Sequence, residues 1–299
     1  MNRLAVLLAI AGMLACALVS PASADLSSKL GALEGNNLKG YLAPLPNAMS
    51  TTMNSGIFQS GGVPKQGFSV NFGVHINGAS FEDADRVFTP TDPDGSQSGP
   101  VPTVVGDGAA VPHNGPYGQA VYPGGLDISQ FLLPMPQLTI GSVMGTRATV
   151  RWFAMDFKNN EIGKIDFLGV GAQHSLNQYI QGLPVDVAIG GFYQKLKLGD
   201  GLLDTKALHF DVTASHKFGG LIKLEPYVSV GYDTFDMKVK YKFTGSGPQN
   251  GETLTVDFDQ IKNKHLAAGA QLSLAVVKLH AEFVSAANTG AAIGLSFGL

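Results

Sequence analysis

The sequence predicts an all-β protein: an antiparallel transmembrane β-barrel of about ten strands, with twelve as the alternative count, preceded by a segment that is not strand-like. Three observations carry this reading. The first 24 residues have the form of an export signal. The rest of the chain breaks into segments that alternate apolar and small or polar residues with period two. The last such segment, AAIGLSFGL, sets Ile293, Leu295, Phe297 and Leu299 against Gly294, Ser296 and Gly298. An oily face backed by a nearly empty one is what a closing strand needs between lipid and a narrow lumen.

Residues 1–24 begin with Arg3, continue as an apolar run from Leu4 to Val19 and end in Ala22-Ser23-Ala24, an A-x-A cleavage site. The chain's one cysteine, Cys16, lies in that leader, so the exported part is expected to hold together without disulfides. Lysine and arginine number 20 against 23 acidic residues, a formal charge of −3, which gives no reason to propose a nucleic-acid partner. Glycine, at 38 of 299, is far above the usual level but follows no collagen or linker period.

Residues 25–66 lack alternation. Leu26, Leu30, Leu33 and Leu38 could line a short helix, though Gly31 and Gly35 weaken it. Gly40 to Pro46 reads as extended or turning because residues before proline avoid the α region. A further short helix fits Asn47 to Asn54. The segment is expected to be a periplasmic cap or a plug turned into the lumen, the bland alternative being an unordered leader.

The barrel proper is expected over 67–299. Phe68 to Asn77 is the cleanest alternating run, and the connection after it, 78–136, is broken by prolines and glycines. A connection that long fits a large external loop, with room for two more strands. Further strands begin near Gln137, Arg147, Lys164, Val185, Lys206, Leu221, Glu252, Val276 and Ala291. Leu221–Phe243 and Glu252–Leu274 match in length and predict one tall hairpin. The polarity phase shifts between Tyr232 and Phe235, which suggests a β-bulge or the crossing of a membrane rim. An even count returns both termini to one side, with long loops on the other. An exported protein of this kind belongs in the outer membrane of a Gram-negative bacterium, in contact with its lipid. The strand carrying Ile293, Leu295, Phe297 and Leu299 would be offered to the barrel assembly machinery.

The faces expected to point inward carry Arg151, Asp186, His209, Asp211, Gln271, Lys278, His280 and Glu282, the candidate polar network of the lumen. His209 and Asp211 share a face, as do Lys278, His280 and Glu282. Such neighbours suit charge pairing inside a narrow barrel and name no nucleophile. No serine elbow, zinc-helix motif, phosphate loop or haem motif is present, so no cofactor, metal or catalytic residue is assigned. Gly169, Gly171, Gly190 and Gly191 mark either tight curvature or a close approach of ligand or plug. Trp152, Tyr193, Tyr227, Tyr232 and Phe218 are candidates for aromatic girdles.

Gly145-Thr146-Arg147-Ala148-Thr149-Val150-Arg151, the run Gly163 to Leu176, Leu183-Pro184-Val185-Asp186-Val187-Ala188 and Tyr41-Leu42-Ala43-Pro44 together resemble an uncharacterised family of outer-membrane barrel proteins of Bacteroidetes, Chlorobi and other Gram-negative bacteria. A more distant resemblance is to long-chain fatty-acid transporter barrels, which are longer and carry an N-terminal plug. These resemblances imply the barrel fold and its location, and no functional residue carries over from them; the function expected of such a barrel is passage or binding of a small or hydrophobic molecule. The alternatives are a non-transporting surface barrel that binds a partner through its long loop, and an outer-membrane hydrolase.

Overall fold

The computed structural model describes residues 26–298 apart from 32, 34, 92–96, 98, 116–117, 158–162, 181, 200 and 245–249. The export signal, residues 92–96, 158–162 and 245–249, and Leu299 therefore lie outside the described residues. Ten strands form the wall: β1 (Gln66–Ser80), β2 (Gln130–Val143), β3 (Thr146–Phe157), β4 (Gly163–Ser175), β5 (Asp186–Leu198), β6 (Leu203–Ser215), β7 (Ile222–Lys242), β8 (Ile261–Leu274), β9 (Val277–Ser285) and β10 (Thr289–Gly298). Each pairs antiparallel with its sequence neighbours. β10 returns to β1, with Ile293 opposite Ile76 and Phe297 opposite Phe72. The sheet closes on itself, so its ten strands pair around a full ring, while a short stretch at the top of β2 and β3 is left without a ladder between them.

Alternation sorts the side chains. Val228 and Val230 of β7, Phe210 and Val212 of β6, Leu168 and Val170 of β4, and Ile293 of β10 all face outward and are exposed. Their neighbours Ser229, Asp211, Gln173 and Ala292 are buried inside. A one-residue slip in any strand would exchange the two sets, so the pattern fixes the register.

Four points of the expected layout are decided by the structure. The connection 81–129 contains two small ladders among the described residues, Val87–Phe88 with Val101–Pro102 and Val111–Gly115 with Gly118–Tyr122, but neither joins the wall, so the count is the expected ten and not the alternative twelve. That connection is also shorter at its far end than 78–136, because β2 already starts at Gln130 and takes in Pro134 and Pro136. β2 pairs with β1 from Gln130 onward but with β3 only from Gln137 onward. A proline has no N–H to give, so the ladder lapses on one side while the other holds the strand.

The third point concerns Gly40 to Pro46, which is helical and not extended. α1 (Leu26–Gly31), α2 (Gly35–Leu42) and α3 (Pro44–Asn54) follow one another, and Pro44 and Pro46 fall in the first turn of α3, where an N–H would have no helical partner. The fourth concerns β7, which carries no bulge between Tyr232 and Phe235. Its odd residues stay inside from Glu225 to Phe243. The irregularity lies in the partner, where Thr253–Asp257 pairs with the top of β7 and then breaks off before β8 begins at Ile261.

α3 is buried within the barrel, and α2 turns Leu38, Tyr41 and Leu42 toward the interior while Gly35 and Asn36 are exposed. Leu38, Tyr41, Leu42, Met49 and Met53 join Phe235, Met237 and Tyr241 of β7 and Val104, Val105 and Tyr122 of the long connection in one apolar cluster at the loop end. Tyr241 donates to the carbonyl of Leu33 (2.8 Å), and Tyr41 donates to that of Gly124 (3.0 Å). The long connection is thereby folded down onto the helices.

Candidate functional site

The C-terminal end of α3 explains one of the fully buried charges in the barrel. The last carbonyls of a helix lack partners within it and form the negative end of its dipole. Arg151, fully buried on β3, donates through Nη1 to the carbonyl of Met53 and through Nη2 to that of Ser55, both at 2.9 Å. Its Nε donates to Gln137 Oε1 at 2.7 Å. Gln194 on β5 donates to Met53 as well (2.9 Å), and Asn77 on β1 to Thr52 (3.2 Å) and Ser55 (2.7 Å). Three wall strands thus hold one helix end.

The chain then runs on down the lumen with its backbone bonded at successive points. Gly56 N–H donates to Glu282 Oε1 (2.6 Å), Gln137 donates to the carbonyl of Ile57 (3.2 Å), and Arg147 to that of Ser60 (2.7 Å). Gly61 N–H donates to Ser215 Oγ at 2.9 Å. Ser60 also donates a very short bond to Glu225. Two glycines make the fit. A Cβ on Gly61 would lie 2.4 Å from the carbonyl oxygen of Asp186 and 2.7 Å from that of Thr213, and one on Gly190 would lie 2.3 Å from the ring of Phe58. Gly190 therefore belongs to a close approach of the N-terminal segment, while Gly169 and Gly171 make room for Phe192 of the adjacent strand.

The candidate polar residues fall into three groups. His280 and Glu282 meet at Tyr227, whose hydroxyl lies 2.5 Å from His280 Nε2 and donates to Glu282 Oε2 at 2.6 Å. Tyr227 is 3% exposed and so is no girdle residue, whereas Trp152, Tyr193, Tyr232 and Phe218 do face outward. His209 and Asp211 are buried, but the shortest contact of His209 is across strands, Nδ1 to Asp233 Oδ1 at 2.7 Å. His265 Nδ1 reaches Asp233 Oδ2 at 2.8 Å. Asp211 Oδ2 accepts from Thr213 (2.5 Å) and Ser229 (2.8 Å). Neither His209 nor His280 has a serine or threonine hydroxyl bonded to its ring among the described residues; the one hydroxyl on either ring is that of Tyr227 on His280.

Lys278 and Gln271 belong to a third group near the short-turn end, where a polar chamber of about 310 Å³ lies between the N-terminal segment and the wall. Its lining includes Arg147, Lys217, Lys278, Glu225, His75, Gln59 and Gln271. Lys278 donates to Asn71, Lys217 lies 3.4 Å from Glu225, and Gln271 contacts Ser273 at 3.4 Å. Asp186 stands apart: it is half-buried, and its side chain makes no hydrogen bond among the described residues. Asp233, His265 and Glu225 stand outside the lumen network expected from the sequence, and Tyr227 is expected at a girdle, yet all four are buried inside. Parity along β7 and β8 is the signal that could have found them, but the partners that join them to His209 and His280 are set by cross-strand register, which sequence spacing does not carry.

The chain belongs to a family of unknown function, DUF6588, whose match covers residues 1–299. No curated protein matches it in sequence. Among solved structures it is similar to OmpT, an outer membrane protein of Vibrio cholerae in its in-vitro folded trimer form, at 10% identity and a TM-score of 0.24, covering 78% of this chain and 98% of that one. It is also similar to the toluene transporter TbuX of Ralstonia pickettii, at 10% identity and a TM-score of 0.26, covering 80% of this chain and 90% of that one.

Proposed function

We propose that this protein is an outer-membrane barrel whose lumen is stopped by its own N-terminal segment, and that it takes a small polar solute bearing a negative group into the chamber beneath that plug. The observation that carries the membrane reading is the belt of outward apolar side chains on a wall whose inner face is polar, the inverse of a soluble barrel. The chamber supports the choice of solute: Arg147, Lys217 and Lys278 face one carboxylate, Glu225. A polar lining of this kind suits a hydrophilic guest better than a hydrophobic one. Passage through the lumen would require the plug to leave Arg151, since the apolar cluster of helices and long connection fills the opposite end.

Single-channel recording of the refolded full chain tests the reading. A closed level with rare openings is expected, and steady conductance is expected from a chain lacking residues 25–65 that still shows the heat-dependent gel shift of a folded barrel. Wide, steady conductance of the full chain would refute the plug. Recovery of the exported protein in the soluble periplasmic fraction would refute the membrane location.

A further inference from the structure

We propose that His209, Asp233 and His265 bind a divalent transition-metal ion, zinc by preference, which clamps three neighbouring strands beneath the plug. The three side chains come from β6, β7 and β8 and are 2%, 0% and 2% exposed. His209 pairs directly with Asp233 across β6 and β7, while His265 pairs with Gly231, one inward position away. Gly231 places no side chain between them. Their ligating atoms lie within 4.8 Å of one another, and the two imidazole rings stand at 73° with centroids 4.7 Å apart. Phe58 of the N-terminal segment covers the cluster, 6.3 Å from the His209 ring. Two imidazoles and a carboxylate are a donor set for zinc and its neighbours, at about 2.0–2.2 Å from the ion.

Hydrogen bonds alone would satisfy Asp233, so the case for an ion needs a second observation, and Asp211 supplies it. Its Oδ1 is buried without a hydrogen-bond partner and lies 4.0 Å from His209 Nε2. Asp211 and Asp233 are thus two buried carboxylates with no lysine or arginine at ion-pair distance among the described residues. One divalent cation supplies the two positive charges that they require in a poorly solvated interior. Binding through Nδ1 leaves the proton of His209 on Nε2, directed at Asp211, the carboxylate–histidine–metal arrangement that orients a ligand and raises its basicity.

The full exported chain, purified in detergent, stripped with chelator in denaturant and refolded with zinc or cobalt(II), provides the test. About one equivalent of zinc per chain is expected, with at least roughly tenfold weaker retention in Asp233→Asn and His265→Gln and none of that loss in His174→Gln, which lies outside the cluster. Cobalt-loaded wild type should show the intense visible bands of a low-coordinate site. Wild type that refolds as a barrel yet takes up neither ion, or Asp233→Asn that keeps the full equivalent, overturns the proposal. Should the variants not fold, the wild-type cobalt spectrum decides by itself, since the weak spectrum of solvated cobalt also refutes the site. None of these readouts depends on whether the lumen conducts.

Discussion

Replacing Arg151 by alanine should undock the plug while leaving the wall intact. The guanidinium makes three hydrogen bonds in a fully buried setting, two of them to the C-terminal carbonyls of α3 and its continuation. Bonds to a charged donor contribute about 1.5–3 kcal/mol each. The Met53 carbonyl keeps Gln194 and the Ser55 carbonyl keeps Asn77, so neither is orphaned, and the lower end applies. A net loss of ~3 kcal/mol follows, which shifts the docked-to-undocked ratio roughly 150-fold. Arg151→Lys retains the charge but not the planar fork that spans three acceptors, and should fall between. Planar-bilayer recording would read this as a rise in open time, and limited proteolysis as faster cleavage within residues 26–65. The heat-dependent gel shift should stay normal, because the β2–β3 and β3–β4 ladders use the backbone of Arg151 and not its side chain. Open time and cleavage unchanged from wild type would refute the anchoring role.

Further expectations concern the lipid face, the plug fit and the long connection. Ile293→Arg, on an outward side chain midway along β10, should cost about 2–4 kcal/mol of barrel stability, whereas inward Ser296→Asn should be nearly neutral; folding into lipid bilayers measures both. Gly61→Ala drives a Cβ into two wall carbonyls and should loosen the plug by about 1–3 kcal/mol, while Gly99→Ala, with open space around it, should change nothing in the same proteolysis assay. Protease added to intact cells should cut within the connection 81–129 and spare the strands, and cleavage reached only from the periplasm would invert the topology.

The strands were legible because each is sorted by two environments, so that a period of two survives in the sequence from Phe68 to Phe297. The plug was less legible for a physical reason. Nothing local marks Gly40 to Pro46 as helical; the partners that hold the end of α3 come from Asn77, Arg151 and Gln194, far along the chain. Prolines misled in both directions: in α3 they start a helix, and in β2 they occupy a strand where one ladder has lapsed. At the site, spacing put His209 with Asp211 and His280 with Glu282 on shared faces. It could not show that His209 turns to Asp233 or that Tyr227 stands between His280 and Glu282, because those contacts follow from how far neighbouring strands are staggered.

The inversion along β7 is best understood as a depth mark. Even positions face outward throughout, yet they change from Val228, Val230 and Tyr232 to Lys238, Lys240 and Lys242. Odd positions face inward from Glu225 onward, yet they change from Glu225, Ser229 and Asp233 to Phe235, Met237 and Val239. On the membrane reading proposed above, a strand that keeps its phase while both faces exchange character has crossed from one pair of surroundings to another: lipid outside and polar lumen inside below, water outside and the packed plug inside above. The crossing near Tyr232 makes the outward positions of one strand a ruler. Val228→Arg should cost about 2–4 kcal/mol in bilayer folding and Tyr232→Arg only about 0–1, as the charge reaches the interface. Lys240→Glu should leave stability unchanged, because that residue stands in solvent in either form. A penalty that stayed level from Val228 to Lys240 would mean that lipid does not end near Tyr232. Outward charge tolerated equally at all three positions would mean that the apolar belt does not face lipid.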